Sequence, residues 1–148
     1  MKLGIAADHG GFELKKEISE RLRVAGHEVV DFGAHSLDPE DDYPDFVIPM
    51  ARAVSRGEVE RGIALCGSGI GACIATNKVR GVRASIIEDA YSARQGVEHD
   101  DMNIVCMGGR TMGIELVWQL LETFLEARFT GAERHRRRLA KVLALEKE

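Results

Sequence analysis

The stretch that decides the fold is IALCGSGIGACIATN, residues 63–77. Residues 63–66 form a short apolar run next to glycine, which predicts a buried strand. The segment GSGIG follows at once, and residues 72–78 predict a helix that is apolar on most of its faces. Glycines let a ligand approach bare N–H groups, and a helix N-terminus behind them favours anions. The stretch therefore predicts an anion site with a thiol, Cys66, at its edge.

Strand-like and helix-like segments alternate on both sides of this stretch. Apolar runs predict strands at residues 3–7, 28–32, 63–66, 82–87 and 104–107. Helical periodicity, with proline and glycine as start and stop signals, predicts helices near residues 12–25, 44–55, 72–78, 89–97, 113–128 and 132–145. This order predicts one α/β domain over residues 1–148, with a five-stranded parallel sheet covered by helices on both faces. The last helix is expected to pack on the sheet or to extend towards a partner subunit.

Ligands of open parallel sheets bind outside the carboxyl ends of the strands. Three polar clusters are expected at or near that edge: Asp8 with His9, the loop 66–71, and His99 with Arg110. Histidine is the usual proton carrier near neutral pH. The two histidines at predicted strand ends are therefore candidate acid–base groups.

Composition excludes several classes of function. The chain has 24 acidic and 20 basic residues, so its net charge of -4 gives no general attraction to nucleic acid or to anionic lipid. No run of about 18 apolar residues predicts a membrane span, and no signal-peptide pattern follows Met1. Three cysteines without C-x-x-C spacing argue against a disulfide framework and a structural zinc site. We expect a cytoplasmic protein with free thiols and no metal.

Cys66 differs from the other two cysteines in its neighbours. The glycine loop and the helix that follow it would stabilise a thiolate, whereas Cys73 lies in a predicted apolar helix and Cys106 in a predicted strand, where core packing is the simpler interpretation.

The same loop leaves a second interpretation open. Gly67, Gly69 and Ala72 satisfy G-x-G-x-x-A, with Glu88 and Asp89 about twenty residues on, as in dinucleotide-binding sites. It follows the third strand rather than the first, however, and no second domain is present. It is not a P-loop, because no Lys-Ser/Thr pair follows.

Several motifs together resemble the type B ribose-5-phosphate isomerases, a family that includes the galactose-6-phosphate isomerase subunits. They are ADHGGFELK at 7–15, DYP at 42–44, CGSGIG at 66–71, NK at 77–78, AYSA at 90–93, NIV at 103–105, GGR at 108–110 and RHRRR at 134–138. The resemblance covers essentially the whole chain. It implies a Rossmann-like αβα sandwich and a metal-independent, cofactor-free aldose–ketose isomerisation. It also implies a homodimer or homotetramer with sites at the subunit interface.

The resemblance assigns catalytic roles to four residues. Cys66 would be the base that moves a proton between C1 and C2 of the open-chain sugar. Ser68, where many members have Thr, would shuttle protons between O1 and O2. His99, with Asp8 nearby, would open the furanose ring.

Further residues are assigned to substrate binding. The glycine loop would donate N–H groups to the enediolate, and the histidine and arginines would bind phosphate, some of them from the neighbouring subunit. The set is His9, Asp42, Tyr43, Gly67, Gly69, Ile70, Gly71, Asp100, Asn103, Arg110, Arg134 and Arg138. Asp100 stands where members commonly have Asn, so a tetrose, another pentose or a hexose phosphate stays open as substrate beside ribose 5-phosphate. A dinucleotide-dependent protein and a non-catalytic sugar-phosphate sensor are the other hypotheses.

Overall fold

A computed structural model describes all 148 residues. The strands are β1 (Lys2–Ala7), β2 (Glu28–Asp31), β3 (Arg61–Cys66), β4 (Ala84–Ile86) and β5 (Ile104–Gly108). The helices are α1 (Phe12–Val24), α2 (Pro44–Ser55), α3 (Ile70–Thr76), α4 (Ala90–Asp100), α5 (Ile114–Glu126) and α6 (Glu133–Ala144). None of these helices is long and apolar enough to span a membrane.

The five strands form one sheet in the order β2-β1-β3-β5-β4, and every pair is parallel. The chain runs outward from β1 to β2, then crosses back over β1 to β3. This reversal creates a crevice between β1 and β3 at the carboxyl edge, which is where such sheets bind ligands. The central strands β3 and β5 are buried throughout, as their uninterrupted apolar runs require.

Each face of the sheet carries its own apolar core. On one face, Ile5, Leu65 and Met107 pack with the apolar stripes of α1, α4 and α5 in a cluster of 19 buried residues. On the other, Ala64 and Cys106 pack with α2 and α3 in a cluster of 13 buried residues. The predicted αβα sandwich with a five-stranded parallel sheet is thus confirmed.

The polar segment before β5 is the main departure from the sequence prediction. Residues 98–101 were expected to form a loop at the ligand edge, but α4 continues through Asp100. It ends only at Asp101, which has a φ of 52° and pairs with Arg83. Because α4 runs antiparallel to the strands, its last turn with His99 lies at the amino edge of the sheet. The expectation that His99 shares the carboxyl edge with Arg110 was therefore wrong.

The end of α5 at the amino edge is held by Arg61, the first residue of β3. Its guanidinium is buried and donates to the carbonyl oxygens of Phe124 and Ala127, the latter at 2.6 Å, where α5 ends. Burial lowers the pKa of Arg61, and the Phe124 ring lies 5.0 Å from the guanidinium carbon. The contact fixes the turn that leads from α5 into α6.

We predict that Arg61→Met lowers the free energy of unfolding by about 1–3 kcal/mol for each carbonyl left without a donor. Urea unfolding followed by circular dichroism measures the change. Arg56→Met is the matched control, since the Arg56 side chain is 58% exposed and pairs only with Glu58. Equal unfolding midpoints for the two variants would contradict this assignment.

Candidate active site

Three loops meet at the carboxyl ends of β1, β3 and β5, and their backbones are in direct contact. A Cβ atom added to Gly10 would lie 2.7 Å from the Gly67 nitrogen, and one added to Gly109 would lie 2.5 Å from the Gly10 oxygen. Hydrogen bonds from Gly109 N to Cys66 O at 2.8 Å and from Arg110 N to Gly67 O at 3.0 Å join the loops. Glycine is required at positions 10 and 109 because no side chain fits between the backbones of these loops.

Cys66 ends β3 with its thiol at the floor of the crevice. The residue is 5% exposed, and its sulfur accepts a hydrogen bond from Gly69 N at 3.0 Å. Gly69 makes this turn with a φ of 85°, a conformation that favours glycine. The Gly69 N–H group is thus aimed directly at the sulfur. Since α3 has only seven residues, the polar contact to the sulfur comes from this turn rather than from a long helix.

A cavity of about 410 Å³ opens above the thiol. It is lined by Asp8, Tyr43, Cys66, Gly67, Ser68, Gly71, Arg110 and Thr111. Asp8 is 7% exposed, and its carboxylate accepts from Gly10 N at 2.9 Å. The Ser68 hydroxyl accepts from Ile70 N at 3.3 Å. The structure thus brings together the thiol, an acid, a hydroxyl and a guanidinium that sequence reasoning selected.

His9 lies beside this cavity and is held by Asp41, a residue that sequence reasoning missed. The Asp41 Oδ1 atom accepts from His9 N at 2.9 Å and lies 2.7 Å from His9 Nδ1. The hydrogen bond to Asp41 raises the pKa of His9, Asp8 also raises it, and the charge of Arg110 opposes the increase. Asp41 is one of five acidic residues between positions 38 and 45, and nothing in the sequence distinguishes it from a solvated neighbour.

Tyr43 packs against the glycine loop. A Cβ atom on Gly71 would lie 2.6 Å from the Tyr43 Cζ atom, so the ring occupies the space that a side chain at position 71 would need. Asp42, the preceding residue, is exposed and its side chain makes no hydrogen bond within the chain. Its substrate role stays a prediction.

The remaining predicted residues form a second group at the amino edge. The His99 and His135 rings stack with centroids 4.0 Å apart. Gln95 Nε2 donates to His99 Nδ1 at 3.1 Å, which places the proton of a neutral His99 ring on Nε2. The Asn103 side chain makes its hydrogen bonds within the chain: it accepts from Arg83 N and donates to Gly81 O.

His135 fixes this group on α6. Arg134 Nε donates to His135 Nε2 at 3.2 Å, and His135 Nδ1 lies 2.7 Å from the Thr130 hydroxyl. Burial lowers the pKa of His135, as do the nearby His99 and Arg134. The Arg138 side chain makes no hydrogen bond or ion pair within the chain. Asp100 lines a different cavity of about 550 Å³ between β4, α4 and α6.

One chain does not bring the two groups together. Cys66 lies at the carboxyl end of β3, whereas His99 precedes the amino end of β5. A five-residue strand such as β5 spans about 17 Å. The expected proximity of Asp8 to His99 is therefore absent within one chain.

Side chains that a metal or a dinucleotide would need at the carboxyl edge are engaged within the chain. Asp8, His9 and Asp41 each place one possible ligand atom within 4.8 Å of the others, but His9 and Asp41 already bond each other. Asp89, which the dinucleotide interpretation needs for a ribose hydroxyl, instead accepts from Ser92 N as the N-cap of α4. It also follows β4, which β5 separates from β3. The three cysteines are free thiols, as expected.

The fold and the site are those of a family of sugar-phosphate isomerases. Residues 3–142 match the model of the family described as Ribose/Galactose Isomerase. A Bacillus subtilis putative sugar phosphate isomerase is 42% identical over 142 residues, covering 96% of this chain and 95% of that protein. Escherichia coli ribose-5-phosphate isomerase B is 39% identical over 145 residues, covering 98% and 96%.

Solved structures of related proteins have the same fold. A Clostridium thermocellum ribose-5-phosphate isomerase B superimposes with a TM-score of 0.95 at 46% identity, covering 99% of this chain and 98% of the other. A Mycoplasma genitalium ribose-5-phosphate isomerase B, solved with bound ribulose-5-phosphate, gives 0.94 at 39% identity, covering 99% and 97%. The chain belongs to the ribose/galactose isomerase family, among its type B ribose-5-phosphate isomerases.

We predict that Gly71→Ala lowers kcat/KM for a sugar phosphate about 100-fold, because the new methyl group displaces the Tyr43 ring over the cavity. Steady-state kinetics measure this loss. Gly113→Ala is the control, since a Cβ atom there meets nothing within 4 Å. In a Tyr43→Ala background the Gly71 substitution should cost much less, and a full additional loss would show that Tyr43 is not the cause.

Proposed function

We propose that the protein interconverts ribose 5-phosphate and ribulose 5-phosphate, with Cys66 as the base that moves the proton between C1 and C2. The observation that carries this proposal is the Cys66 sulfur, buried under the glycine loop and bonded by Gly69 N at 3.0 Å. The relatives from Escherichia coli and Mycoplasma genitalium carry this substrate or product in their names.

The chemistry needs a base and an oxyanion site at the same place. A C–H group beside a carbonyl is a weak acid, so the negative charge that forms on oxygen must be stabilised as the proton leaves. Gly69 N is occupied by the sulfur and Ile70 N by the Ser68 hydroxyl. The N–H groups of Ser68 and Gly71 make no hydrogen bond within the chain, which leaves them for the enediolate oxygens.

A different sugar phosphate is the second candidate. A Pectobacterium atrosepticum D-erythrulose-4-phosphate isomerase is 35% identical over 131 residues. A Clostridium acetobutylicum galactose-6-phosphate isomerase subunit is 37% identical over 129 residues. These identities are close to that of the Escherichia coli enzyme, so sequence identity does not by itself select the sugar. Comparing turnover across aldose phosphates of four to six carbons identifies the substrate.

The separation of the two residue groups supports a site completed by a second copy of the chain. His99, Arg134 and Arg138 lie at the opposite edge of the sheet from their own Cys66, whereas the proposed ring opening and phosphate binding need them beside it. A two-fold dimer that places the amino edge of one copy against the carboxyl edge of the other satisfies both needs. The outer faces of α3 and α4 expose Ile70, Ile74 and Tyr91 by 55%, 58% and 75%, which suits a buried contact. Three free thiols suit the reducing cytoplasm.

We predict that Cys66→Ala abolishes hydrogen exchange at C2 of ribose 5-phosphate in heavy water, while binding of the sugar phosphate persists. Loss of the base stops proton removal, whereas the phosphate ligands are separate from the sulfur. Proton NMR follows the exchange, and calorimetry follows the binding.

Cys73→Ala is the matched control for that experiment. Cys73 is half-buried on α3, and its thiol contacts the Ala84 carbonyl oxygen at 3.7 Å rather than the cavity. Its exchange rate should equal that of the unchanged protein. Exchange that continues undiminished in Cys66→Ala would rule out Cys66 as the base, and exchange absent from the unchanged protein would rule out the isomerase proposal for this sugar.

A further inference from the structure

The two carboxylate oxygens of Asp41 differ in their hydrogen bonding. Its side chain is 9% exposed, and its Oδ1 atom receives two hydrogen bonds, both from His9. The Oδ2 atom is buried and has no hydrogen-bond partner. A buried carboxylate is costly unless it is paired, so His9 carries all of the compensation that the chain provides.

The pairing with the Asp41 carboxylate favours the cationic form of the His9 ring. A charged imidazole gives a charge-assisted hydrogen bond to Asp41, which is about twice as strong as a neutral one. The charged groups that face His9 are Asp41 and Asp8, which favour the cation, and Arg110, which opposes it. Loss of solvent around the ring also opposes the cation, but the hydrogen bond to Asp41 is the largest effect, and the net result raises the pKa of His9 above its ordinary value. With Nδ1 held by Asp41 and Nε2 without a partner in the chain, a cationic ring has its free N–H on Nε2.

We propose that Asp41 is a positioning residue that holds His9 as a cationic donor, with Nε2–H free to bind the phosphate of the substrate beside Arg110. The inference rests on the proposed function, because it assigns a phosphate ligand for that substrate. Asp41 itself acts through His9 and does not need to touch the sugar. A neutral His9 would leave Arg110 as the only cation that this chain brings to the edge of the cavity.

The pH dependence has a definite sign. Because the folded-state pKa of His9 is raised, the cation and its contribution to phosphate binding are complete at low pH and are lost as the pH rises through that value. Without the Asp41 charge the loss begins at lower pH, near the ordinary histidine value of about 6.5. The variant should therefore differ most from the unchanged protein on the alkaline side of that value.

Asp41→Asn tests the proposal, because the amide keeps an oxygen for the His9 backbone N–H but removes the charge. We predict that KM for the sugar phosphate rises about tenfold near pH 8, with kcat within about twofold, and that the two KM values converge near pH 5.5. Taking the ratio of the KM values at each pH cancels the titration of the phosphate itself. Glu40→Gln, an exposed carboxylate on the same loop, is the matched control and should leave the ratio near one.

A second experiment measures the titration of His9 directly and does not depend on turnover. NMR titration of the imidazole signals, with the His9 signal assigned from its loss in His9→Gln, should show a lower pKa for His9 in Asp41→Asn than in the unchanged protein. Inorganic phosphate should shift the His9 signal of the unchanged protein at pH 7.5 and shift it less in the variant. If the unchanged protein fails to isomerise any sugar phosphate, the proposed function fails, and this experiment still decides the role of Asp41.

A double variant separates positioning from a structural role. If Asp41 acts through His9, adding Asp41→Asn to His9→Gln leaves KM unchanged, whereas a structural role predicts a further loss. A KM ratio independent of pH, an unaltered His9 titration or a further loss in the double variant would each overturn the proposal. Urea unfolding of Asp41→Asn checks that the variant is folded under the assay conditions.

Discussion

The contact of three backbones at the carboxyl edge is the constraint on which the site depends. Gly10, Gly67 and Gly109 lie so close that a single Cβ atom on Gly10 or Gly109 would overlap a neighbouring main chain. Core interiors do not yield to such overlap, since they are packed as densely as organic crystals. The contact therefore fixes the positions of Asp8, Cys66 and Arg110, each of which is attached to one of the three loops.

A second set of contacts holds in place the loop that carries Asp41 and Tyr43. Lys15 on α1 is buried, and its ammonium group donates to both carboxylate oxygens of Asp31 at 2.7 and 2.8 Å and to Ala34 O at 2.6 Å. Asp31 also accepts from Gly33 N at 2.8 Å. A buried cation with three oxygen partners anchors the start of this loop, and the His9–Asp41 contact anchors its end. The side chains beside the thiol thus depend on contacts that lie outside the cavity.

The sequence predicted the parts of the molecule that follow from local patterns. Apolar runs located all five strands, and the strand-to-glycine transition at Cys66 located the centre of the site, because both depend on neighbours along the chain. The predicted end of α4 was wrong because a residue other than glycine ends this helix. Asp101 ends α4 in a left-handed conformation that glycine usually supplies, so the polar run 98–101 resembled a loop. The role of Asp41 depends on a contact 32 residues away along the chain, which no local pattern records. Family resemblance named His99, Arg134 and Arg138, but only the fold places them at the opposite edge from Cys66.

In the proposed dimer, Cys66 of one copy works with His99 of the other. Co-expression of Cys66→Ala and His99→Asn chains with different affinity tags, followed by purification on both tags, yields mixed dimers. In a two-fold dimer one of the two sites then has both residues intact. We predict that each variant alone is nearly inactive on ribose 5-phosphate and that the mixed dimer has about half the activity of the unchanged protein. A mixed dimer as inactive as its parents would contradict a site shared between copies.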